Sequence, residues 1–60
     1  MTDEKASEVA RLLGAAIEDH RNGRSVLAES GYKKILELEP EHPEALFLLG
    51  SLALQFGFAV

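Results

Sequence analysis

Two histidines and four serines carry the readiest side-chain chemistry in this 60-residue chain. His20 follows Asp19 and His42 follows Glu41, and such carboxylate–imidazole pairs suit proton transfer or metal ligation. Neither pair has the helical His-x-x-x-His spacing that would turn two rings toward one ion. His20 falls where a helix should end and complements the negative end of its dipole, and His42 falls in a junction turn. Ser7, Ser25, Ser30 and Ser51 lie outside any Gly-x-Ser-x-Gly elbow that would present a nucleophile. Cysteine is absent, which excludes disulfides and thiolate zinc sites together. The sequence therefore predicts no catalytic residue, no metal site and no cofactor, and a chain that is not an enzyme.

Composition narrows the classes further. Ten acids against six bases give a net charge of −4, and the six Lys and Arg are not gathered into a stripe. That balance predicts no nucleic-acid partner, because a phosphate backbone needs clustered positive charge. A hydrophobic content of 47% is too high for a disordered chain. Residues 45–60 form the longest apolar stretch, yet they include Ser51 and Gln55 and fall short of the roughly 20 residues of a membrane span. The N-terminal residues lack the basic and apolar regions of a signal peptide, so the expectation is a cytoplasmic protein without a membrane partner. A chain of this size buries only about 60% of its unfolded surface, and with no disulfide available the remaining staple is a partner chain.

Punctuation divides the chain into three predicted helices within a single domain, residues 1–60, at about 3–21, 25–38 and 43–56. Thr2 suits the first N-cap and Asp3 and Glu4 the first turn, and apolar residues recur at Ala6, Val9, Ala10, Leu13, Ala16 and Ile17. Asn22-Gly23 supplies the left-handed residue that closes this helix. The second helix has the stripe Ala28, Gly31, Tyr32, Ile35 and Leu38, with Glu29 and Lys33 spaced as an i,i+4 pair, and Pro40 stops it. Pro43 opens the third, after His42 as an imperfect N-cap. From Ala45 onward this helix is apolar nearly all round, the pattern of a helix covered on more than one side.

Shifted along itself so that Leu12 falls on Leu46, the chain also matches Leu13 with Phe47, Ala16 with Gly50 and Gly23 with Gly57. That shift of 34 residues is the helix–turn–helix period of the tetratricopeptide repeat. The stretch Leu46-x-x-Leu49-Gly50-x-x-Ala53 resembles the family's first-helix pattern, with a small residue replacing its aromatic. Ala28-x-x-x-Tyr32 followed by Pro40 resembles the second. The resemblance covers about residues 9–60, roughly one and a half repeats, and departs from the pattern at Ala15-Ala16 and Asp19.

The resemblance implies an all-α, three-helix, tetratricopeptide-like antiparallel array, a fragment of an α-solenoid. Repeat packing would fall to Ala28, Tyr32, Pro40, Leu49 and Gly50, the small residues allowing close backbone approach. A groove would take Ala10, Leu13, Ile17, His20 and Arg21 from the first helix, and Glu44, Phe47, Ser51, Leu54 and Gln55 from the third. The family's carboxylate clamps of Lys and Asn are missing. Gly50-Ser51-Leu52 is similar to the Asp-Ser-Leu triplet of phosphopantetheine carriers, but the carrier serine starts a helix and Ser51 falls mid-helix. Three rods cannot hide this much apolar surface, so the expected function is protein association, chiefly into a homo-oligomer. Its interface is expected at Leu13, Ile17, Phe47, Leu48, Leu52, Leu54, Phe56 and Phe58. The alternative is a small adaptor or accessory subunit that binds a peptide or an enzyme in the groove.

Overall fold

The computed structural model describes residues 2–55 as three α-helices, α1 (Thr2–Arg21), α2 (Ser25–Leu38) and α3 (Pro43–Gln55). No strand occurs among the described residues, and the protein is all-α. The end of α1, the end of α2 and the start of α3 each have a local cause. The amide of Arg24 donates to the Asp19 carbonyl at 2.8 Å and that of Gly23 to the His20 carbonyl at 3.2 Å. With Gly23 at φ 80°, these two bonds make a Schellman closure, and the Arg24 guanidinium adds a 3.7 Å ion pair to Asp19. Glu39, extended at φ −137° and ψ 89° as a residue before proline must be, takes the chain out of α2. The His42 amide then closes a turn onto the Glu39 carbonyl across Pro40-Glu41. His42 caps α3, its Nδ1 accepting the Ala45 amide hydrogen at 3.1 Å. The expected Glu29–Lys33 pair forms on the exposed side of α2 at 3.3 Å, an interaction of about 0.3–0.5 kcal/mol.

The helix α2 packs against both α1 and α3. Its stripe of Ala28, Tyr32 and Ile35 is completely buried, with Val9 and Ala16 of α1 on one side and Ala45 and Leu52 of α3 on the other. Leu12, Leu13, Leu36, Leu48 and Leu49 close the edges of this core. The result is a slab of 39 × 22 × 13 Å, thin enough that every helix keeps a solvent face.

Among the described glycines, Gly31 is the one crowded by a neighbouring helix, where an added Cβ would lie 2.8 Å from the Ala16 Cβ. The small residues that meet at this close approach are therefore Gly31 and Ala16. Gly50, expected to serve that purpose, has nothing within 4 Å of the place a Cβ would take, and neither has Gly14. Leu52, expected at the interface, is 2% exposed and belongs to this chain's own core. A helix apolar on all sides gives periodicity no means of choosing which side turns inward.

These surroundings predict opposite outcomes for two alanine substitutions. Gly14→Ala meets open space and gains helix propensity, stabilising the chain by about 0.5–1 kcal/mol. Gly31→Ala gains the same propensity but must push Ala16 away, a net loss of roughly 1 kcal/mol. Thermal unfolding of both variants tests this, and equal stability for the two would contradict the packing.

Candidate interaction surface

The last turns of α1 and the first turns of α3 stand apart over α2 and enclose an open cleft of about 390 Å³. Ile17, His20 and Arg21 form one wall, Glu44, Phe47 and Leu48 the other, and Tyr32 the floor. Ile17, Phe47 and Leu48 make the interior apolar, while Arg21 and Glu44 put opposite charges on its rim. Such a lining suits a short amphipathic segment better than a small polar substrate.

His20 ties this region together. Its Nε2–H donates to Gln55 Oε1 at 3.0 Å, an oxygen that can only accept. In the neutral ring Nδ1 is then the acceptor, and the Tyr32 hydroxyl donates to it at 3.1 Å. The two rings meet edge-on, with centroids 6.1 Å apart. One imidazole on α1 thereby holds α2 through Tyr32 and α3 through Gln55. The sequence assigns His20 a dipole role at the end of α1, and it does lie in the last turn, but its ring acts as a cross-link. No buried side-chain polar atom lacks a partner among the described residues.

A second surface lies on the outside of α3. Leu46 is 50% exposed, Phe47 71% and Leu54 66%, and Gly50 sits between them. Of the residues expected at an interface, Phe47 and Leu54 are exposed here, whereas Leu13, Ile17 and Leu48 are half-buried. Phe56 and Phe58 lie outside the described residues. Within the expected groove, Ile17, His20, Arg21, Glu44 and Phe47 come together in the cleft, whereas Ala10, Leu13, Ser51, Leu54 and Gln55 do not line it. Sequence reasoning misses Leu46 as an exposed apolar residue, although its spacing of four from Gly50 and eight from Leu54 puts all three on one helix face. Exposed Val26 and Leu27, in the first turn of α2, carry no signal beyond their hydrophobicity.

Among the described residues, no group of His, Asp and Glu is placed to hold a metal ion, and no helix is long and apolar enough to cross a membrane. The chain is thus a three-helix, all-α protein with an open interhelical cleft and, on α3, an uncovered apolar face among the described residues. Comparison with family models, with curated proteins and with solved structures gives no match.

The site has an alkaline signature. Burial pushes the Tyr32 phenol above its ordinary value. The folded state therefore keeps the phenolic proton to higher pH than the unfolded chain, where ionisation occurs near about 10. Tyr32's contribution to stability is fully present below that pH and is lost as pH rises toward the folded value. Tyr32 is the sole tyrosine and tryptophan is absent, so phenolate absorbance reports this group alone. A native titration midpoint above about 10, with stability falling through the same range, is expected. Ionisation at the ordinary value without loss of stability would contradict the buried setting.

Proposed function

We propose that this chain is a protein–protein interaction module that associates with copies of itself through the outer face of α3, in a cytoplasmic setting. The observation that carries the proposal is the exposure of Leu46, Phe47 and Leu54 together on a helix whose opposite face is already core. Covering the exposed parts of these three side chains gains about 1–2 kcal/mol each, or roughly 6–12 kcal/mol over two copies. Loss of translational and rotational freedom costs about 4–15 kcal/mol. Comparable magnitudes favour a concentration-dependent equilibrium over an obligate assembly.

The arrangement is read as about one and a half tetratricopeptide-like repeats. In support, the repeat that places Leu12 and Leu13 on Leu46 and Phe47 relates α1 to α3, and both helices pack on α2. The second reading, an adaptor or accessory subunit, is favoured by the cleft between α1 and α3, with its apolar interior and oppositely charged rim. Its occupant would be an amphipathic peptide or partner helix.

Sedimentation equilibrium over a roughly hundredfold concentration range separates the two, because mass action links self-association to concentration. Self-association predicts a mean mass that climbs from the 6.5 kDa of one chain toward a multiple of it. A folded chain that stays at 6.5 kDa throughout would contradict it and leave the adaptor reading.

A further inference from the structure

The outer face of α3 has a pattern that bears on its partner. Counting from Gly50, leucines stand four residues to either side, Leu46 and Leu54, while Phe47 and Ala53 stand three residues to either side. At 3.6 residues per turn, these five positions fall within about 60° of Gly50 on one face. The face thus has the same residue, leucine, four positions to either side of its glycine, and differs at the three-residue positions, where a large ring is set against a methyl.

We propose that two copies of this chain pair through α3 in antiparallel fashion, with a two-fold axis passing beside Gly50. This rests on the self-association reading above and names its geometry. In such a pair, Leu46 of each copy meets Leu54 of the other, and Phe47 packs over Ala53, a large side chain against a small one. Gly50 meets Gly50. A two-fold interface requires a surface that complements itself under reversal, and this pattern meets that requirement. A partner of different sequence would need no such symmetry.

Three further observations agree. Gly50 is a mid-helix glycine, which weakens the helix, and no described residue comes within 4 Å of the place a Cβ would take. At the crossing point, that missing side chain lets two backbones come together. Residues 45–55 carry no charged side chain, so reversing one copy on the other brings no like charges into contact. Antiparallel helices also set each dipole's positive end beside the other's negative end. By contrast, Ala6, Ala10 and Gly14 on α1 form a stripe of small residues without large neighbours to complement it, and carry no equivalent claim.

The natural absence of cysteine allows a direct test. In the full chain, Gly50→Cys puts a thiol at the axis, where two Cα atoms would lie within the roughly 4.4–6.8 Å that a disulfide spans. Gly14→Cys is the control, a helical glycine equally open to solvent. Under mild oxidation at a concentration where the parent chain associates, Gly50→Cys should form a covalent dimer at least roughly tenfold faster than Gly14→Cys. A second pair of variants tests register without cysteine. Leu46→Glu alone and Leu54→Lys alone each bury an unpaired charge in a homodimer, whereas their mixture sets Glu against Lys at one contact and Leu against Leu at the other. Mixing should tighten association at least roughly tenfold over either variant alone. A parent chain that associates without preferential cross-linking and without gain on mixing overturns the two-fold seam and leaves self-association standing. A parent chain that stays monomeric overturns both.

Discussion

The contact of Ala16 with Gly31 sets the spacing on which the other packing depends. Because Gly31 has no side chain, α1 can settle on α2 closely enough to bury Tyr32 and Ile35 completely beside it. One turn after Ala16, α1 reaches His20 at the height of the Tyr32 hydroxyl. From there the imidazole reaches Gln55 at the far end of α3. A wider α1–α2 spacing would draw His20 away from the Tyr32 hydroxyl on α2. The packing of two small residues and the polar link among three helices are therefore parts of one arrangement.

That arrangement serves only one side of α3. Ala45 and Leu52 are consumed by the core, yet Leu46, Phe47 and Leu54 project where α2 cannot reach. With so thin a slab, no fourth element among the described residues lies over them. Val26, Leu27 and Leu38 are exposed on α2, while Leu46, Phe47 and Leu54 lie on the helix with the fewest charges. In a small domain with no disulfide, this is the place where added stability can come from another molecule.

Much of the fold is legible because its boundaries are written in residues with few conformational choices. Gly23 adopts the left-handed conformation that ends α1, Pro40 removes the option of continuing α2, and Pro43 opens α3 where a missing amide hydrogen does no harm. The inward stripe of α2 is readable at Ala28, Tyr32 and Ile35, which helical spacing puts on one face, but Leu38, expected in the same stripe, is exposed where α2 ends. Other features are hidden for definite reasons. On α3, apolar residues occupy both faces, so nothing local separates buried Leu52 from exposed Leu46. The choice between Gly31 and Gly50 as the close-approach position turns on which glycine faces a neighbouring helix, and that is a tertiary fact. The link from His20 to Gln55 joins residues far apart in the chain and has no local signature. His42, by contrast, is readable as a cap from its place before Pro43, and its Nδ1 fills that role.

On the proposed arrangement, the outer face of α3 is covered by a second copy of the same molecule. Isotope-filtered NMR on an equal mixture of labelled and unlabelled chains probes that contact most directly. Cross-peaks between the methyl groups of Leu46 on one copy and Leu54 on another are predicted, growing as the sample is concentrated. A well-folded sample at high concentration in which α3 shows no intermolecular contact would contradict the pairing.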